Sequence, residues 1–174
     1  MITGQLAFLA GCLNSVKDIK PHGMMYFTFF DTVSNIYSYA GDSEKKFQKN
    51  CQETATILEE YHKLFDIYNE YSGINNLCTI NKNAGKDPLV VDDKLIEFLL
   101  YTKQMYTLTN GKANVMLGSV LKLWHNAREE ASFNPSEANI PNMELLQEAL
   151  KHTSIDLLEI NQEAKTVRIT DPNA

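Results

Sequence analysis

The chain has 174 residues, enough for one domain with a real core, and its 44% apolar and 22% charged residues are ordinary for a globular protein. Its net charge of −6 and scattered lysines argue against a nucleic-acid footprint. Cys12, Cys51 and Cys78 show no CxxC spacing, which argues against a zinc site.

In chain order, the first feature is Leu9-Ala10-Gly11-Cys12, which follows the short, mostly apolar run Leu6–Ala10. It has the pieces of a bacterial lipobox: an apolar stretch, small residues at the cut and the thiol to be lipidated. Met1–Gln5 lacks the usual Lys or Arg, so the other reading is an apolar terminus with a free cysteine. The polar stretch after Cys12 reads as a tether, giving a division into 1–24 (signal remnant and tether) and 25–174 (folded domain). No other run approaches the roughly 18 apolar residues of a membrane span.

Met25–Tyr39 is rich in aromatic and β-branched residues and is predicted as strand, with Asp31-Thr32 as a kink or turn. Gly41-Asp42-Ser43 supplies a break and an N-cap. A helix is predicted from Ser43 to about Asn69, because Phe47, Cys51, Thr54, Leu58, Tyr61, Phe65 and Tyr68 recur at spacings of three and four. Cys51 falls on that apolar face as a small core residue, and Lys45, Lys46 and Lys49 read as a solvated face. His62 and Asp66 share a face and are expected to make a surface contact rather than a metal site.

Tyr71–Gly85 is a polar connection with room for short helical turns, and Pro88–Val91 is extended. Asp92 caps a second helix, with Leu95, Phe98, Leu99, Thr102, Met105, Tyr106 and Thr109 on one face and Asn110-Gly111 as its stop. Val115 to about Arg128 reads mostly as helix and Ala131–Pro141 as loop. A third helix is predicted from Pro141 to about His152, with Leu145, Leu146, Ala149 and Leu150 inward. Ile155–Ile160 and Thr166–Thr170 alternate as a hairpin around Asn161–Ala164. The order of strand, helices and hairpin gives an α+β class.

No GxSxG, P-loop or GxGxxG is present, so no nucleophile or phosphate loop can be nominated by motif. What remains is a set of correspondences: Phe30-Asp31-Thr32 at the end of the first strand; Leu64-Phe65-Asp66-Ile67-Tyr68 before a polar turn with Ser72 and Ile80-Asn81; Asn110–Val120 closing in Leu123-Trp124; then a proline-bearing loop, a short helix and a hairpin. Together they resemble the ApbE family of flavin transferases, over about Tyr26–Pro172. That family's common patterns are Met-Gly-Thr at the first position and Gly-Gly-x-Phe-Asp-x-Thr-x-Gly-Pro-Leu at the third. Here Phe30 stands for the methionine, Asp31 for the glycine, Asn114 for an aspartate and Met116 for a threonine. Asparagine keeps the shape and acceptor of aspartate but not its charge.

The resemblance implies an ApbE-like, T-fold-related α+β domain. It also implies an FAD:protein FMN transferase, which moves FMN from FAD to a threonine of an acceptor protein with Mg²⁺. It assigns FAD binding to Phe30, Tyr68, Lys112, Ala113 and Asn114, with Tyr68 stacking and Asn114 hydrogen-bonding. Read from the residues alone, Tyr68 is a core tyrosine at the helix end; with the resemblance the core and stacking readings stand even, and Trp124 reads as structural. The resemblance further implies that the catalytic lysine segment and the Mg²⁺ ligands lie beyond Ala174, so that this chain alone would be inactive. With the Cys12 anchor, the expected location is the outer face of a bacterial cytoplasmic membrane. The alternatives are a non-catalytic flavin-binding lipoprotein or a structural interaction domain without a cofactor.

Overall fold

A computed structural model describes residues 21–39 and 43–174. The expected lipobox at Cys12 lies outside the described residues. The chain divides into two compact units, Met1–Ile57 and Leu58–Ala174.

In the first unit, β1 (His22–Tyr26) and β2 (Ser34–Ser38) form an antiparallel hairpin with His22 opposite Ser38 and Tyr26 opposite Ser34. The single kinked strand expected over Met25–Tyr39 is therefore two strands, and the first begins at His22. The expected turn at Asp31-Thr32 is the hairpin loop. Phe30 (φ 56°) and Asp31 (φ 49°) both occupy the left-handed region, and the Thr32 N–H donates to the Phe29 carbonyl at 3.2 Å. Aspartate tolerates that conformation better than most residues, which fits a position where the ApbE pattern has glycine. The helix α1 (Glu44–Phe65) starts where Ser43 Oγ accepts from the Lys46 N–H at 3.3 Å, as an N-cap does. Phe47 and Cys51 are buried, and the Tyr26 hydroxyl donates to the Cys51 carbonyl at 3.1 Å. Lys45, Lys46 and Lys49 are exposed, as the solvated-face reading requires.

The second unit contains the end of α1, then α2 (Leu77–Lys82), β3 (Leu89–Val90), α3 (Asp93–Leu108), α4 (Gly118–Phe133), α5 (Met143–Leu150), β4 (Leu158–Asn161) and β5 (Thr166–Ile169). The strands form one antiparallel sheet in the order β3-β5-β4, with Val167 opposite both Leu89 and Ile160. Val167 and Ile169 alternate inward from β5, as a period of two demands. They meet Leu95, Ile96 and Leu99 of α3, with Leu64, Ile80, Met116 and Leu158, in one core. The Lys103 ammonium ties α3 to the sheet by donating to the Leu158 carbonyl at 2.8 Å.

Boundaries shift for identifiable reasons. α1 stops at Phe65, four residues early, because the Asp66 carboxylate captures the N–H groups of Tyr68 (2.7 Å) and Asn69 (3.0 Å). Asp66 is therefore buried and not the surface contact expected of it. Helix α4 begins at Gly118 rather than near Val115, since Asn114 Oδ1 holds the Met116 N–H at 2.9 Å in a turn. It runs on to Phe133, into the stretch expected as loop, and ends before Asn134-Pro135, where proline disfavours helix for its predecessor. On α5 only Leu146 and Ala149 are half-buried; Leu145 and Leu150 are exposed, contrary to expectation, since this short helix packs mainly on α4. Ile155–Leu157 is a 3₁₀ turn rather than strand, with Ser154 Oγ accepting from the Asp156 N–H.

Candidate functional site

The loop between α3 and α4 carries three of the expected flavin residues, and local chemistry explains its shape. Asn110 (φ 50°) and Gly111 (φ 78°) take left-handed conformations, and the Gly111 N–H returns to the Tyr106 carbonyl at 2.8 Å. Thr109 Oγ1 then accepts from the Ala113 N–H at 2.9 Å, so the backbone doubles back instead of extending α3. Lys112 and Ala113 are exposed at the crest.

Asn114 is half-buried and anchors the loop twice. Its Oδ1 accepts from the Met116 N–H, and its Nδ2 donates to the Thr153 carbonyl at 2.8 Å. One Nδ2 hydrogen and one Oδ1 lone pair remain for a ligand. Met116, standing where the ApbE pattern has threonine, is buried in the core and pins the loop's far end. Ser119 Oγ donates to the Ala149 carbonyl at 3.0 Å, adding a second tie to the end of α5.

Tyr68 is 61% exposed, so it is not a core tyrosine. Its ring lies 6.3 Å from that of His125 on α4, at the outer limit of ring–ring contact. His125 Nδ1 in turn lies 2.9 Å from an Arg128 guanidinium nitrogen. An aromatic face is thus held in solvent beside the helix that the α3–α4 loop leads into. Trp124 of the same helix is exposed too. Phe30, in the other unit, is exposed in the hairpin loop.

Behind Tyr68 lies a polar hub that sequence reasoning missed. The Asp66 carboxylate accepts from the backbone of Tyr68 and Asn69, from Asn69 Nδ2 at 3.0 Å and from the Tyr71 hydroxyl at 2.8 Å. Burial opposes its charge, but the hydrogen bonds from Asn69, Tyr68 and Tyr71 outweigh that and hold the carboxyl well below the usual carboxylate range. Asn76 is fully buried: its Nδ2 donates to the carbonyls of Lys63 (2.9 Å) and Asn69 (2.8 Å), and its Oδ1 caps α2 through the Thr79 N–H at 3.0 Å. The only available signal was a density of asparagine and aspartate after an apolar stripe, which also describes any polar loop.

Among the described residues no group of three or more His, Cys, Asp or Glu is placed to hold a metal ion. An open groove of about 620 Å³ lies between the second half of α4 and residues 134–139. It is lined by Glu129, Glu130, Phe133 and Glu137 and by none of the expected flavin residues, and its acidity would repel a diphosphate. Among the described residues no helix is long and apolar enough to cross a membrane.

Comparison with known proteins supports the family resemblance. The ApbE family pattern matches residues 30–174. The FAD:protein FMN transferase of Chlamydia muridarum is 22% identical over 127 residues, covering 73% of this chain and 38% of the relative. That of Chlamydia pneumoniae is 23% identical over 128 residues, covering 71% and 38%. The chain thus spans well under half the length of these curated relatives. Among solved structures, the ApbE protein of Thermotoga maritima superposes with a TM-score of 0.66 at 19% identity, over 86% of this chain and 45% of its own. The flavin transferase ApbE of Vibrio cholerae gives 0.66 at 21%, over 88% and 46%. At such identities the likeness establishes the fold, and the α+β, ApbE-like architecture expected from sequence is the one observed.

Proposed function

Since this chain belongs to the ApbE family, we propose that it supplies flavin-holding residues of an FAD:protein FMN transferase. The observation that carries this reading is the construction of the loop Lys112–Asn114 inside the family match. The loop is braced at both ends, exposed at its crest, and leads into the helix beside the open face of Tyr68. Tyr68 would stack on a ring of FAD, and Asn114 would offer its spare donor and acceptor to a flavin or adenine edge. Lys112 and Ala113 would line the cofactor. In the transfer itself, a threonine oxygen of an acceptor protein would bond to the FMN phosphorus as the diphosphate P–O bond breaks and AMP leaves. Mg²⁺ dependence belongs to the same proposal.

The test is FAD titration by calorimetry, with circular dichroism as the folding control. Tyr68→Ala removes a stack worth about 0.5–1.5 kcal/mol by analogy with aromatic pairs. Asn114→Ala removes a hydrogen bond worth a similar ~0.5–1.5 kcal/mol. Each variant is expected to bind FAD several-fold more weakly while staying folded. Parent-like FAD affinity in both would place the pocket elsewhere. A second reading, that Asn114 is purely a brace, is favoured by its bonds to Met116 and Thr153. It predicts a structural change in Asn114→Ala with no change in FAD affinity.

Anchoring through Cys12 at the outer membrane face is part of the same proposal, supported by Leu9-Ala10-Gly11-Cys12. Expressed in a bacterium with an intact signal sequence, the protein is expected to take up labelled fatty acid, and Cys12→Ser to abolish the label. Equal labelling of both forms would rule the anchor out.

A further inference from the structure

One side-chain pair, His152 and Asp171, stands one residue away from the carbonyl that holds the flavin loop. His152 follows the end of α5, and its Nδ1 lies 2.6 Å from Asp171 Oδ2, just past the end of β5. Both side chains are about four-fifths covered. The hydrogen bond from His152, with a second from the Asn173 N–H, holds the Asp171 carboxyl below the usual range. The far nitrogen of His152 faces Glu148 at 4.0 Å.

Asp171 is itself fixed. The neighbouring Pro172 sits against Gly85, where an added Cβ would lie 2.7 Å from the proline Cβ, and the Gly85 N–H donates to the Ile169 carbonyl at 2.8 Å. The sheet end is therefore a rigid post, and His152 ties the segment after α5 to it. From that segment the next carbonyl, Thr153, receives the Asn114 amide at 2.8 Å, and Ala149 receives Ser119 at 3.0 Å. The path from sheet to flavin loop is thus Asp171, His152, Thr153, Asn114. Without the clasp, the segment keeps the local bonds of the His152 N–H to the Ala149 carbonyl (3.1 Å) and of Thr153 Oγ1 to the Leu150 carbonyl (2.9 Å), but it loses the side-chain tie to Asp171, so the Thr153 carbonyl shifts and the Asn114 amide follows it.

We propose that His152 is a positioning residue for the flavin loop: its clasp on Asp171 sets the Thr153 carbonyl that orients the Asn114 side chain. The proposal rests on the flavin-binding reading for its effect on FAD, but its geometric core can be measured without FAD. The Asn114 side-chain amide signals are identified in ¹⁵N spectra of the full chain by their loss in Asn114→Ala. In His152→Ala these signals are expected to shift and their protons to exchange faster with solvent. FAD binding should weaken about two- to tenfold, the reach of one hydrogen bond. His152→Asn, which can place an amide N–H near the Nδ1 position, should restore both. In an Asn114→Ala background, His152→Ala should weaken FAD binding no further, because its effect passes through Asn114.

Unmoved Asn114 signals in a folded His152→Ala protein would overturn the proposal, as would losses of FAD affinity that simply add. Should His152→Ala fail to fold by circular dichroism, Asp171→Ala cuts the clasp from its other end and is read in the same way. If the Asn114 signals move but the parent chain binds no FAD, the flavin reading fails and the positioning of the loop stands.

Discussion

Asn76→Ala is expected to destabilise the second unit by about 3 kcal/mol and lower its unfolding midpoint by roughly 10 °C. The residue is fully buried, and its amide satisfies two backbone carbonyls from different segments while its oxygen caps α2. Alanine leaves the carbonyls of Lys63 and Asn69 without this donor and the Thr79 N–H without its cap. An orphaned buried group costs about 1–3 kcal/mol and a lost N-cap about 0.5–2 kcal/mol. Asn76→Asp separates the two roles. It keeps the cap acceptor but turns a carboxylate oxygen toward two carbonyl oxygens in a buried site, so it should be no more stable than alanine. Chemical unfolding of the three proteins decides the matter; an aspartate variant as stable as the parent would reduce Asn76 to a helix cap.

Asp66→Ala should cost about 2–4 kcal/mol, because hydrogen bonds to a buried charged group are each worth roughly 1.5–3 kcal/mol before the rest of the network relaxes. The more discriminating variant is Asp66→Asn, read against pH. The parent's carboxyl is held below its ordinary range in the fold. Its contribution is therefore fully present above the unfolded value near ~4 and is lost as pH falls through the folded value. Asp171 acts in the same direction through its His152 and Asn173 hydrogen bonds. At neutral pH the asparagine variant should be clearly less stable than the parent, and the gap should narrow as pH drops below about 4. Urea unfolding at pH 7 and at pH 3 measures it. A gap independent of pH would show that shape, and not charge, makes Asp66 matter. Because the Tyr68 N–H is bonded to this carboxylate, loosening of the hub should also reach the proposed stacking face.

The elements readable from sequence were those set by local chemistry. Asp92 announced α3, and Lys94 meets its side chain at 2.8 Å. Asn110-Gly111 announced the stop, since few other residues accept a left-handed backbone. The period of three to four marked α1 and α3, and the period of two marked β5, because one buried face repeats with the geometry of the element. The family was legible in the same way: its correspondences cluster where the chain must turn tightly, and turns restrict residue type more narrowly than helix surfaces do.

Tertiary structure alone decided which polar residues were interior. Asp66 continued the helical pattern of α1, and only the folded arrangement of Tyr68, Asn69 and Tyr71 around it ended the helix and buried the charge. Asn76 was one asparagine among several in a polar stretch; its distinction comes from carbonyls thirteen and seven residues upstream. The Thr153 carbonyl could not be matched to Asn114 in advance, since backbone groups carry no signature in a sequence and this contact spans 39 residues. The exposure of Leu145 and Leu150 had the same origin. Periodicity says which side chains share a face, but whether anything covers that face is a property of the packed molecule.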